Sequence, residues 1–483
     1  MENTDTTMDI AAASATEIAA AIRGGEVSAA EVVDVCSARV RDRGPVLNAV
    51  VATNPQVEQD AARADEEAAS GNFRGPLHGV PFTVKDTLAL AGLPATAGSP
   101  LLADHVPTAS ATAVDRLLAA GAIPVGKTNC SEFAVATHSS NPLFGDTWNP
   151  WDSRLTSGGS SGGDSAAVAA GMAAFGLGTD FGGSIRWPAH CTGLTSMRPT
   201  VGLIPQTGML PFVPGGGFPV PPSFSVLHRL GTIGWLARSA ADHAVLLELL
   251  RGPDGVDPNT VPVTPGGQDV EISGLRCAWF AGEGTVPVRS DVVEVVRGAA
   301  AALAARGVEV SNTRPPGVDR AAEVFVELRT AAGMPDVVRL AAGRHDLVSP
   351  PLRESLLEEP SQPVSRLFGA SRARDEILRE VLSFMDDHDV LLLPVASVPA
   401  VDPAEAEFEI DGQRVPWNQL GSSCRAMSIL GFPVVVVPCG YSAEGLPVGV
   451  QVVGRPFEDH LVIRVASELE EVFGRFTAPD PRG

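Results

Sequence analysis

Two serines stand in glycine turns 24 residues apart: Ser160 within Gly158-Gly159-Ser160-Ser161-Gly162-Gly163, and Ser184 within Phe181-Gly182-Gly183-Ser184-Ile185-Arg186. Glycine lets a backbone come close to a bound molecule, and successive N–H groups in such turns can face an oxyanion. A serine hydroxyl attacks a carbonyl well only when a base takes its proton, and the usual base is histidine. His190 is near, but after Trp187-Pro188-Ala189 it reads as a structural hydrogen-bonding residue. The candidate base is Lys85, which closes the run Val80-Pro81-Phe82-Thr83-Val84. A lysine serves only when neutral, and burial at the end of an apolar strand lowers its pKa from about 10.4. From the residues alone, a solvated surface lysine is the other reading.

Three further patterns compete for attention. Gly121 to Thr128 satisfies the phosphate-loop spacing GxxxxGK[ST], but a helical segment precedes Gly121 and the middle residues are strand-like, the reverse of what that loop needs. Gly176-Leu177-Gly178 starts like a dinucleotide fingerprint and has Phe181 where the third glycine belongs. Gly158-Gly159-Ser160-Ser161-Gly162 matches the nucleophile elbow GxSxG, which would make Ser160 the nucleophile of an α/β-hydrolase-like esterase with His388 or His460 downstream. Asp152 to Thr156 is not the hydrophobic strand an elbow requires, and this reading leaves the Ser184 turn unexplained.

The elements that must hold these residues alternate between helix and strand. Ser14-Ala15-Thr16-Glu17 and Ser28-Ala29-Ala30-Glu31 are capping boxes, predicting two short amino-terminal helices, the first stopping at Gly24-Gly25. A strand is expected at 47–51, an exposed amphipathic helix at 55–70, a helix ending near Ala120 and a strand at 122–125. The small-residue segment 162–174 predicts a helix packed close to its neighbours with its N–H groups toward the first serine turn. Helices are expected near 290–306, 318–343, 367–386 and 459–473, with strands at 275–280, 389–394, 433–438 and 447–453. The Pro- and Gly-rich 211–222 stretch reads as a mobile loop over a pocket or a surface insertion. The fold class is therefore α/β: a mixed central β-sheet with helices on both faces.

Composition narrows function by exclusion. The chain has 483 residues and a net charge of −22, with no cluster of Lys and Arg, so no nucleic-acid partner is expected. The acidic start and the lack of an 18–20-residue apolar run predict a cytoplasmic protein with no membrane partner. The six cysteines include no Cys-x-x-Cys pair and read as reduced core thiols. No histidine motif suggests a metal, and Asp386-Asp387-His388-Asp389 reads as a solvated turn at a helix end. Hydrolysis is expected without metal, nucleotide or other cofactor.

Taken together, the double glycine–serine turn, Gly-Gly-Ser-Ile-Arg at 182–186 and Val84-Lys85-Asp86 resemble the amidase signature family of serine amide hydrolases. The likeness extends through Gly79-Val80-Pro81, Gly126-Lys127-Thr128-Asn129, Asn141-Pro142-Leu143-Phe144-Gly145, Gly445-Leu446-Pro447-Val448-Gly449-Val450-Gln451 and Gly454-Arg455-Pro456-Phe457. Leu194 to Arg198 departs from the family's usual run, as does Phe181 from its usual Thr or Ile. The resemblance implies one domain over 1–483, a catalytic core at about 75–240 and a variable substrate-shaping region at about 205–420. It also implies a Ser–Ser–Lys triad with Ser184 as nucleophile, Ser160 as proton relay after a cis peptide, and Lys85 as base. Backbone N–H groups of Phe181, Gly182, Gly183 and Ser184 would form the oxyanion hole, supported by Thr179, Asp180 and Arg186. The implied activity is hydrolysis of small amides through an acyl-enzyme, with aryl amides, carbamates (a urethanase activity) and hydrazides as adjacent substrates. A glutamine-hydrolysing amidotransferase A-type subunit is the alternative, and a homodimer is the expected assembly to test.

Overall fold

Aliphatic runs from Val50 to Val453 assemble into one eleven-stranded sheet. Its spatial order is Val50–Thr53, Ile123–Thr128, Pro81–Lys85, Phe175–Asp180, Thr232–Ala237, Thr195–Arg198, Val434–Tyr441, Pro447–Val453, Val390–Pro394, Arg276–Trp279 and Glu309–Asn312. The computed structural model describes residues 8–210, 226–266, 269–356 and 362–479, so the expected 211–222 loop lies outside the described residues. Pairing is parallel around Pro81–Lys85 and again around Arg276–Trp279. Between those regions every pairing is antiparallel.

Adjacent residues of the same strands enter different cores, which shows that both faces are covered. Leu392, Val435 and Val452 pack with Val296, Leu303 and Val465 of the helices Ser290–Ala305 and Asp459–Phe473. Leu391, Leu393, Val434 and Val453 pack with Phe325, Ile377 and Met427 of the helices Val318–Ala332, Val364–Phe384 and Ser422–Ser428. The mixed α/β fold expected from the sequence is thus the one observed.

Local signals account for most boundaries. Both capping boxes form, Ser14 with Glu17 and Ser28 with Glu31, and Gly25 closes the first helix in the left-handed conformation. The second helix is longer than expected: it runs Ala29–Leu47 past Pro45 and shifts the following strand to Val50–Thr53. The expected 318–343 helix is two, Val318–Ala332 and Pro335–Ala341, because Gly333 takes φ 58° and Pro335 starts the next one. The 162–174 helix stops at Ala169, where Gly171 turns the chain, and Phe175–Asp180 follows as a strand.

That strand and helix set the distances at the site. Gly176 and Gly178 lie under the helix amino terminus: a Cβ on Gly176 would stand 2.8 Å from the Asp164 Cβ, and one on Gly178 2.8 Å from the Ser161 Oγ. Glycine here lets the Gly162–Ala169 helix rest almost on the backbone of the sheet. Gly163 is tighter still, since its Cβ would meet the Asn129 backbone on one side and the Ala49 carbonyl at 2.8 Å on the other. Neither backbone can yield cheaply. Gly163→Ala is therefore expected to lower stability by about 3 kcal/mol, at the upper end of overpacking costs, and thermal denaturation would read it.

Candidate active site

Lys85 is the last residue of the fully buried strand Pro81–Lys85, in the apolar setting the sequence suggested. Its three ammonium positions are all taken by hydroxyls: Nζ lies 2.7 Å from the Ser160 Oγ, 2.9 Å from the Ser161 Oγ and 2.9 Å from the Thr179 Oγ1. Among the described residues it forms no ion pair. The other buried lysine, Lys127, has both the Leu88 carbonyl at 2.5 Å and Asp86 at 3.6 Å. Burial pushes the Lys85 pKa down to about 8, and the more distant Asp164 and Asp180 only partly oppose it. A neutral amine is therefore accessible near neutral pH, which the solvated reading of this residue does not allow.

Ser160 sits in a buried turn shaped by backbone contact. The Gly159–Ser160 peptide is cis. A Cβ on Gly158 would meet Pro188 at 2.6 Å, and one on Gly159 would meet the Thr137–His138 backbone at 2.7 and 2.8 Å. Ser139 ties the turn down, donating to the Ser160 carbonyl at 3.1 Å and accepting from the Gly162 N–H at 2.8 Å. The Ser161 N–H donates to the Ser184 carbonyl at 3.0 Å and so joins the two serine turns.

Asp180 braces the second turn. Its carboxylate accepts from the Gly183 and Ile185 N–H groups and from Arg186 at 3.0 Å through both Nε and Nη2. Although burial opposes ionisation, Arg186 and Arg198 hold this carboxyl well below the usual range. Arg186 reaches on to the Gln451 Oε1 at 2.7 Å, the Cys424 carbonyl at 3.0 Å and the Ser428 Oγ. The Gly183 N–H, expected among the oxyanion donors, donates to the Asp180 Oδ1 at 2.9 Å. No hydrogen bond among the described residues takes the N–H groups of Phe181, Gly182 or Ser184. Asp180→Asn would leave Arg186 and Arg198 buried beside a neutral amide. The expected cost is about 3–5 kcal/mol, measured by chemical denaturation.

Ser160, Thr179 and Ser184 line one cavity of about 320 Å³, a volume suited to a small ligand. Its walls are largely apolar, with Phe133, Leu210, Trp187 and Phe325 among them. A family model described as Amidase matches residues 31–463. The chain belongs to the amidase family. It is 32% identical over 485 residues to an acylamidase of Rhodococcus erythropolis, covering 95% of each chain. It is also 32% identical over 491 residues to the A-type subunit of the glutamyl-tRNA(Gln) amidotransferase of Chloroflexus aurantiacus, covering 94% of this chain and 95% of the relative. The solved 6-aminohexanoate cyclic dimer hydrolase superposes with a TM-score of 0.85 at 26% identity, covering 99% of this chain and 100% of the other.

The three histidines singled out in the sequence, His190, His388 and His460, are engaged by other groups. His190 accepts from the Gly449 N–H through Nδ1 and meets the Val398 carbonyl at Nε2, and burial pushes it down to about 4. His388 stacks on Phe384, and His460 lies 2.9 Å from Glu248. The 386–389 cluster is the turn expected at a helix end, with Asp386 and Asp387 exposed, while Asp389 is held by Arg276 at 3.0 Å and lies 3.6 Å from Arg455. Ser161 and Asp164 escaped the sequence reading. Ser161 shares the glycine turn of Ser160, and Asp164 accepts from Thr83 and Thr128 at 2.9 and 2.8 Å. A polar residue in the first turn of an otherwise small-residue helix was the available signal.

Proposed function

We propose that this chain hydrolyses C–N bonds of small linear amides through an acyl-enzyme on Ser184. The observation that carries the reading is the buried Lys85 Nζ, without a carboxylate partner among the described residues, 2.7 Å from the Ser160 Oγ in the cavity that Ser184 lines. In this mechanism neutral Lys85 takes a proton from Ser160 as Ser160 takes one from Ser184. The Ser184 Oγ then attacks the carbonyl carbon. Negative charge gathers on the carbonyl oxygen, where the N–H groups of Phe181, Gly182 and Ser184 stabilise it by about 2.7–4 kcal/mol for each well-aimed donor. The C–N bond breaks as the leaving nitrogen receives the proton through Ser160. Water enters by the reverse relay and frees the acid.

Thr179 helps hold the lysine, while Asp180 and Arg186 set the shape of the turn. The apolar cavity favours an aryl or aliphatic body, and carbamates and hydrazides present the same kind of carbonyl to the same nucleophile. The catalytic unit of this reading is centred on about 75–240, with the 205–420 region shaping the pocket. The amidotransferase relative supports a second reading, in which glutamine is the amide and a partner protein receives the ammonia. A panel of anilide, primary amide, ester, carbamate and glutamine on the isolated chain separates the two. Intact-mass detection of an acyl adduct that disappears in Ser184→Ala tests the mechanism.

A further inference from the structure

Two arginines that the hydrolytic step does not use, Arg329 and Arg425, line the apolar cavity. Arg425 follows Cys424, whose Cβ lies 2.7 Å from where a Cβ on Gly183 would stand. Arg329 is one helical turn beyond Phe325, whose ring approaches the same position on Gly182 to 2.8 Å. Both arginines thus belong to segments pressed against the glycines that precede Ser184: Arg425 is the next residue after that contact, and Arg329 lies about one helical turn, ~5 Å, beyond it.

Arg425 donates to the Asn418 carbonyl and forms no ion pair among the described residues. Glu283 accepts from Thr285 at 2.6 Å, Val286 at 2.9 Å and Ser423 at 3.3 Å, and Asp336 on the cavity wall pairs with Arg339 at 2.7 Å. Burial, together with the repulsion of Arg329, pushes Arg425 down to about 10. A half-buried guanidinium without a carboxylate partner among the described residues is a ready site for a bound anion. Its planar fork matches a carboxylate in bidentate geometry.

We infer that Arg425 binds a carboxylate of the substrate, so that the preferred amides carry an anionic group a few bonds from the scissile carbonyl. This rests on the amide-hydrolase reading. The apolar walls then hold the chain between the two ends of such a molecule.

The test uses an isosteric pair, succinyl-p-nitroanilide and butyryl-p-nitroanilide, which differ by a carboxylate in place of a methyl. The wild-type chain is expected to favour the succinyl substrate in kcat/KM by about tenfold or more, chiefly through KM. Arg425→Gln is expected to bring that ratio near one, and Arg425→Lys to restore part of it. Glutarate should inhibit the wild type competitively, a measurement that needs no variant to fold. A ratio unchanged in folded Arg425→Gln, a wild-type preference for butyryl, or no inhibition by glutarate would overturn the carboxylate assignment and leave the hydrolase reading intact. Cleavage of neither anilide, or equal cleavage by Ser184→Ala, would instead overturn the hydrolase reading and this inference with it.

Discussion

Ser184→Ala is expected to lower kcat by about 10⁴-fold or more with little change in KM, because it removes the attacking oxygen and leaves the binding walls in place. Ser160→Ala should also be slow, but it keeps a nucleophile and should still accumulate some acyl-enzyme. The order of these two losses decides between two chemistries that the glycine turns allow. If Ser184→Ala kept wild-type activity while Ser160→Ala lost it, the nucleophile would be Ser160, as in an esterase elbow. The geometry around Ser160 opposes that outcome. Its Oγ is 2.7 Å from an ammonium group rather than an imidazole, and His388 and His460 are engaged with other residues.

The second large effect belongs to Lys85. Lys85→Met is expected to lower kcat/KM by about 10²–10⁴-fold, the usual worth of a general base. In the wild type, kcat/KM should rise with pH and level off above about 8, where Lys85 loses its proton. A histidine base would level off near 6.5. A profile flat from pH 6 to 9 would remove Lys85 from the role. Stability carries the same signature. Because the folded pKa lies below the unfolded value of 10.5, the folded state binds fewer protons between about 8 and 10.5, and stability rises with pH across that window. Relative to Lys85→Met, the wild type should gain on the order of 3 kcal/mol from pH 8 to 10.5, readable in denaturant titrations.

Much of this was visible in the sequence where chemistry and local geometry coincide. Lys85 ends an apolar run, and the serines stand in glycine turns whose purpose is close backbone approach. Both capping boxes and the closing Asp459–Phe473 helix followed from short-range patterns. The strands Phe175–Asp180 and Thr232–Ala237 did not, since Gly176, Gly178 and Gly234 break their hydrophobic alternation, and neither did Thr195–Arg198, whose only apolar residue is Met197. Those glycines answer to neighbours far along the chain. The engagement of the Gly183 N–H by Asp180 was hidden for a related reason: both residues were legible, but the direction of one N–H depends on φ 119° at Gly183 and on two buried arginines. Arg425 carries no motif and acquires meaning only when Cys424 is seen against Gly183.

The reach of Arg186 bears on the birth of the protein as well as on its finished form. Its partners Cys424, Ser428 and Gln451 lie 238, 242 and 265 residues further along the chain. At ribosomal speeds of about 5–20 residues per second, Gln451 is made roughly ten to fifty seconds after Arg186. During that interval both serines and the lysine already exist, yet the clamp that shapes the second turn cannot be completed. The growing chain therefore holds the reactive groups of the site before it holds the means to align them, and alignment waits for the final stretch of the polypeptide.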